Sequence, residues 1–286
     1  MSDSQVTRIL IIGGSSMVGQ RLCARLGKAY SVATTRRDSS ANVSFDLMRD
    51  TEPANGQQFD VVVHCAASFG GNDAKGMVEN ELTNSVGALR VGTFAARAGC
   101  KHLVYLSSIS IYDHPDNGYF GSYGLSKRHG QENLALMCRE LGIRFTSLLP
   151  PQLYDERGAA RKHQPLFYRI VDCARNGVDV TLYGKSDALR NFLFVEDLAA
   201  IVERVIVGKV SGVFPCVHPE SHTLSGIARI AFDVFGKGGK VVFQAEKPDI
   251  PGVYIPELGE LYSLLGYLPE TGLRAGMEKI RDADHS

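Results

Sequence analysis

The stretch Arg8-Ile9-Leu10-Ile11-Ile12-Gly13-Gly14-Ser15-Ser16-Met17-Val18-Gly19 decides the fold. Its first part is a short β-branched run that ends at a glycine pair and reads as a strand. The apolar spacing over 17–26 then reads as a helix, with Gly27 placed to stop it. A strand that passes through a glycine turn into a helix is the setting of a phosphate-binding loop. The glycines permit the tight turn and close packing of helix on strand. The first helical turn offers free N–H groups and a partial positive charge to a pyrophosphate. Gly13, Ser15, Ser16, Met17, Val18 and Gly19 are therefore candidate contacts for a dinucleotide.

Outward from that turn, strand and helix signals alternate. Strands are predicted over 30–35, 60–64, 102–106 and 144–149, and helices over 81–98 and 123–141, the helices stopped by Gly99 and Gly142. Three consecutive valines, Val61 to Val63, suit a strand buried on both faces. Strands alternating with helices imply crossover units and a parallel sheet, an α/β doubly wound fold over residues 1–150. Beyond Pro150 the rhythm weakens, and strand signals are short, at 178–183, 212–217 and 240–243. Residues 151–189 and 208–286 are expected to form a smaller, mostly C-terminal substrate-binding domain, with a return to the first domain near 190–207.

Composition narrows the partners. The formal net charge is zero, which gives no electrostatic case for nucleic acid or an anionic membrane. No apolar run approaches the roughly 18 residues of a membrane span, and residues 1–5 lack the basic and apolar regions of a signal peptide. The six cysteines are scattered singly, with no CxxC and no Cys/His cluster of metal spacing. They read as small buried hydrophobes in a reducing compartment, so a cytoplasmic protein without a metal is expected.

Two further patterns carry chemistry. The second strand ends Thr34-Thr35-Arg36-Arg37, where a site for NAD usually has a carboxylate for the ribose 2′-hydroxyl. A guanidinium instead holds a 2′-phosphate, so Arg36 and Arg37 favour NADP(H), with NAD(H) left open. In Tyr123-Gly124-Leu125-Ser126-Lys127 the phenol and ammonium stand four apart and share a helix face. An ammonium beside a tyrosine favours the phenolate and brings its pKa toward the working range of an acid–base catalyst. Ser108, at the end of the preceding strand, is placed to hold a substrate oxygen beside the phenol.

Taken in order, these residues resemble the extended short-chain dehydrogenase/reductases, the NAD(P)-dependent nucleotide-sugar epimerase, dehydratase and 4-keto reductase group. The resemblance covers nearly the whole chain. Gly13 to Gly19 resembles the family's glycine turn, and Phe45-Asp46-Leu47 its adenine-contacting motif. Val63-His64-Cys65-Ala66-Ala67 resembles the strand and small-residue turn beneath the cofactor, and Asn84 the family's asparagine near the active site. Ser107 to Tyr112 resembles the serine strand, Pro150 to Tyr154 the segment beside the nicotinamide, and Arg190 to Ala199 a later Arg-x-Phe-x-x-Val-x-Asp-x-Ala element. Ser16 departs from the pattern by replacing the middle glycine, Leu149 by replacing an arginine, and Asp113 by replacing a glycine.

The resemblance implies a Rossmann fold, Ser108, Tyr123 and Lys127 as catalytic residues, and Asp46, Leu47, Ala66, Ala67, Asn84, Pro150 and Leu153 as further cofactor contacts. It also implies a nucleotide-sugar substrate and a homodimer built on the helices over 81–98 and 123–141. Dehydratases of the group need an Asp-Glu pair after the catalytic hydroxyl, and 3,5-epimerising reductases a Cys and a His. Here Ile109 and Ser110 follow Ser108. The expected reaction is NADPH-dependent reduction of a keto group on a nucleotide-linked deoxysugar. A nucleotide-sugar epimerase and a non-catalytic NAD(P)-binding sensor are the alternatives. Ser68, Ser110, Tyr183, Arg190 and Asn191 are the expected substrate contacts, and His163, in the loop after Pro151, is a candidate substrate contact for which a surface histidine is the favoured reading.

Overall fold

The computed structural model describes residues 8–36, 43–49, 56–116 and 118–283. The chain runs β1 (Arg8–Ile12), α1 (Met17–Leu26), β2 (Ser31–Arg36), β3 (Val43–Ser44), β4 (Val61–His64), α2 (Ala74–Asn80), a π-helical stretch Glu81–Val86, α3 (Gly87–Arg97), β5 (His102–Leu106), a 3-10 turn Ile109–Tyr112, α4 (Ser122–Leu141) and β6 (Arg144–Leu149). It continues through β7 (Gln152–Tyr154), α5 (Pro165–Asn176), β8 (Val180–Tyr183), β9 (Leu189–Arg190), β10 (Phe192–Phe194), α6 (Val195–Gly208), β11 (Gly212–Pro215), β12 (His222–Thr223), α7 (Leu224–Phe235), β13 (Val241–Gln244), α8 (Leu261–Leu265) and α9 (Leu273–Ala283).

Seven strands form one parallel sheet in the order β11-β6-β5-β4-β1-β2-β3. The order reverses between β1 and β4, the place where doubly wound sheets bind ligands. The period-two alternation of a strand sorts each strand onto two helix layers. Ile9, Ile11, Val61, Val63, Val104 and Leu148 face Leu22 and Leu26 of α1 and the apolar face of α6. Leu10, Ile12, Val62, Leu103 and Tyr105 face Val91 and Phe94 of α3 and Leu134 of α4. A helix layer on each side is why the strands read as continuous apolar runs.

The second lobe has its own core, built from α5, α7, α9, β8 and β10 around Phe167, Ile170, Phe192, Ile227, Ala231 and Met277. The return to the first layer runs further than residues 190–207. Gly212–Pro215 pairs with β6 as the sheet's edge strand, and Leu261 and Tyr262 of α8 join the core beneath α6. Short, isolated strand signals hid these pieces, because an edge strand of four residues carries little pattern of its own. No helix among the described residues is long and apolar enough to cross a membrane.

Candidate active site

The glycine turn is built for close approach. Gly13 has φ 98°, and a Cβ there would stand 2.6 Å from the Ala66 amide nitrogen. A Cβ on Gly19 would stand 2.2 Å from the Gly13 carbonyl oxygen. Ala66 thus lies directly under the turn, and its amide donates to the Ile12 carbonyl at 3.1 Å. The turn delivers the N-terminus of α1, where the amides of Met17 and Val18 have no intrahelical acceptor. These features fit a dinucleotide's pyrophosphate. Ser16, one of the expected contacts, also stabilises the turn. Its Oγ accepts from the Gly19 amide at 3.0 Å and donates to the Gly13 carbonyl at 2.8 Å, and its own amide donates to Gly13 as well. The serine in place of the middle glycine caps the helix, so its polar groups serve the turn itself.

Asp46 and Leu47 follow β3 beside α3, and the Leu47 carbonyl accepts from the Arg90 guanidinium at 2.7 Å. Ala67 continues the turn after Ala66. Arg36 closes β2. Arg37 lies outside the described residues. Pro150 is buried behind the 3-10 turn, its carbonyl accepting from the Ile109 amide at 3.1 Å, and Leu153 sits on β7 against the sheet core.

Ser108, Tyr123 and Lys127 come together. Ser108 caps the 3-10 turn, its Oγ accepting from the Ser110 amide at 3.1 Å, and its hydroxyl stands on the side of the Tyr123 phenol, where it favours the phenolate. Gly124 lets α4 press against that turn, since a Cβ there would stand 2.4 Å from the Ser110 carbonyl oxygen. Lys127 is buried, donates from Nζ to the Leu106 carbonyl at 2.5 Å, and lies 4.2 Å from the centroid of the Tyr105 ring. Burial holds the Lys127 ammonium down at about 7. Burial raises the Tyr123 phenol, and the Ser108 hydroxyl opposes the rise. Lowering of the phenol pKa by Lys127 was the expected effect. In the structure the ammonium is drawn to the end of β5, and the hydroxyl of Ser108 supplies the stabilisation. An ammonium has three donors, so Lys127 keeps donors for the ribose hydroxyls of a dinucleotide.

Asn84 ties the loop after β4 to α4. Its Oδ1 accepts from the Ser68 amide at 2.8 Å, and its Nδ2 donates to the Ser68 carbonyl at 2.9 Å and to Ser126 Oγ at 3.0 Å. Ser68 is tied to Asn84 and Ser110 to Ser108. Arg190 is buried, donating to Leu189 and Pro251 carbonyls and the Tyr119 hydroxyl at 2.8–2.9 Å. The Asn191 amide clamps residues 218–221, donating to the His218 carbonyl at 2.8 Å and accepting from the His218 amide at 2.9 Å. Both were expected to meet substrate, and both also join segments distant in sequence, Arg190 reaching Tyr119 and Pro251 and Asn191 reaching residues 218–221. Tyr183 is exposed at the end of β8, in register with Gln244.

Two residues near the site escaped the sequence reading. His64, at the end of β4, is fully buried with neither ring nitrogen hydrogen-bonded, and burial beside Lys127 holds it down at about 3. Phe69 stacks on the Tyr123 ring. A cavity of about 870 Å³ lies elsewhere, at the starts of β4, β5, β6 and β11. Its Lys101, Arg139, Arg144 and Lys209 gather where α4 and α6 end, as helix C-termini favour.

With this geometry in place, the comparisons are decisive at the level of the family. The family model described as NAD dependent epimerase/dehydratase family matches residues 9–213. The chain belongs to that family. It is an extended short-chain dehydrogenase/reductase, an enzyme that works with a nicotinamide dinucleotide. Family relatives include UDP-glucuronic acid decarboxylase 1 of Xenopus tropicalis, 24% identical over 98% of this chain and 72% of the relative. GDP-L-fucose synthase 1 of Arabidopsis thaliana is 24% identical over 99% of this chain and 94% of the relative. A UDP-glucose 4-epimerase from Thermus thermophilus in complex with NAD shares the fold, with TM-score 0.75, 19% identity and coverage of 98% and 99%.

Proposed function

We propose that this enzyme reduces a keto group on a nucleotide-linked sugar, with NADPH as the reductant. One observation carries the reading. Ser108 and Tyr123 stand together with Lys127 one turn along α4, and the turn that follows Ser108 offers Ile109 and Ser110, with no carboxylate or thiol. Such a set handles one carbon–oxygen centre and offers no carboxylate or thiol to remove a proton from a neighbouring carbon. When bound, the dinucleotide supplies the hydride. Ser108 Oγ orients the carbonyl oxygen. Tyr123 Oη delivers a proton to that oxygen as it gains charge. Lys127 Nζ, anchored on Leu106, holds the ribose. The names of the relatives support a nucleotide sugar as the substrate.

Arg36 and Arg37 support the 2′-phosphate. The NAD complex of the Thermus thermophilus structure keeps NAD(H) in view. That structure also favours the second reading, a 4-epimerase, in which the same phenol first takes the proton of a sugar hydroxyl and later returns it. A homodimer is proposed on exposed Val78, Leu82 and Val86, which recur at four-residue spacing and lie along α2 and the π stretch.

The test mixes the full chain with NADPH or NADH and freshly generated nucleotide-linked 4-keto-6-deoxysugars, and follows loss of the reduced nicotinamide absorbance. Stoichiometric loss of NADPH with one sugar is the expected result. Tight dinucleotide binding without any loss overturns the reductase reading. Interconversion of unoxidised nucleotide sugars without net nicotinamide change then identifies the epimerase.

A further inference from the structure

Three rings stand in a row, the catalytic phenol at one end. The Phe69 and Tyr123 rings stack with centroids 4.5 Å apart and planes 18° from parallel. The His163 imidazole lies 4.4 Å from the Phe69 centroid at 39°. Phe69 comes from the loop after β4, Tyr123 from α4 and His163 from the loop between β7 and α5, so the row joins the two lobes. Phe69 is 54% exposed, so no core packing holds its loop in place.

A ladder of polar side chains holds it instead. Asn80 Oδ1 accepts from the Gly70 amide at 2.7 Å, and its Nδ2 donates to the Gly70 carbonyl at 3.1 Å and to Ser122 Oγ at 2.7 Å. One turn later, Asn84 treats Ser68 and Ser126 in the same way. The two asparagines grip the residues on either side of Phe69. The two serines stand immediately before Tyr123 and Lys127 on α4. Both asparagines are buried, so their bonds are made away from competing water. The ladder fixes the Phe69 backbone relative to the catalytic helix and thereby lays the ring on the phenol.

We propose that Phe69 and His163 form a clasp that closes over the Tyr123 phenol, and that the substrate's reacting ring enters when the Phe69 and His163 rings swing aside, its C–H face then resting on Phe69. The second half rests on the nucleotide-sugar reading above; the first does not. An aromatic face is apolar and carries negative quadrupole charge, which suits the C–H groups of a pyranose. Phe69 is then a specificity-determining residue, and Asn80 a positioning residue that acts through it.

The clasp is tested by nitration of Tyr123 with tetranitromethane, read by peptide mass spectrometry on the full chain saturated with NAD⁺. An aromatic stack can hold a closed form by up to about tenfold. Nitration of Tyr123 is therefore expected to rise about tenfold in Phe69→Ala, and by a smaller factor in His163→Ala. Phe69→Leu, which keeps apolar bulk without a ring, falls between wild type and Phe69→Ala. UDP-glucose, as the probe, is expected to slow nitration in every protein that binds it. Equal rates in wild type, Phe69→Ala and Phe69→Leu overturn the clasp, even if UDP-glucose protects. Faster rates in the variants with no protection by UDP-glucose uphold the clasp over the phenol and overturn the sugar's place on it.

Discussion

At the scale of single residues, Lys127 points elsewhere than its spacing from Tyr123 suggests. The four-residue interval was readable, and so was Ser108 at the end of its strand. The direction of the Lys127 ammonium was not, because the Leu106 carbonyl that captures it is 21 residues away in sequence. Tyr123→Phe is expected to lower turnover by about 10²–10⁴, the usual contribution of a positioned acid–base group. NADPH affinity, read by fluorescence titration, should stay at the wild-type value. Lys127 has a pH signature. Its folded pKa, about 7, lies below its ordinary 10.5. Between these values the unfolded chain binds the extra proton, so Lys127 penalises folding fully below pH 7 and progressively less toward 10.5. Lys127→Met should therefore gain most over wild type in urea unfolding at neutral pH, and the gain should shrink as pH rises. A constant difference across that range would show the lysine to be ordinary.

At the scale of elements, the central strands β1, β4, β5 and β6 and helix α1 were legible because burial on both faces leaves an unmistakable apolar record. The helix preceding the catalytic one was legible only from Glu81 onward. Its true start is capped by Asp73, whose carboxylate accepts from the Gly76 amide at 2.7 Å, and glycines around it blur the pattern. The π stretch Glu81–Val86 left no sequence signal either, since one extra residue in a turn changes no residue type. Yet it matters to α4. A Cβ on Gly130 would stand 2.1 Å from the Asn84 carbonyl oxygen, a backbone atom that cannot swing aside. Gly130→Ala is expected to destabilise by about 1–3 kcal/mol through overpacking. Chemical denaturation would measure the loss, and an unchanged midpoint would mean that α4 and the π stretch separate easily.

At the scale of the whole molecule, the sequence reading divided the chain at Pro150 and brought it back once. The structure brings it back repeatedly, through α6, β11 and α8. Ion pairs reinforce the return: Arg21 of α1 meets Glu156 and Glu196, and Arg25 meets Glu203 at 2.6 Å. Contacts between distant segments of this sort follow from topology, and local pattern does not encode them. Arg190 and Asn191, read from the sequence as substrate contacts, also hold distant segments together, a role that their neighbours in sequence do not announce. The anchoring of the catalytic ammonium on the last carbonyl of β5 has a practical consequence. Most enzymes with loop-borne catalytic groups lose activity before they lose their fold, because loops open at lower cost than cores. Here the ammonium is fastened to an interior strand of the main sheet, between β4 and β6. Activity and near-ultraviolet circular dichroism should fade at the same denaturant concentration. A half-denatured sample would then be a mixture of fully working and fully dead molecules, with no slowed population between them.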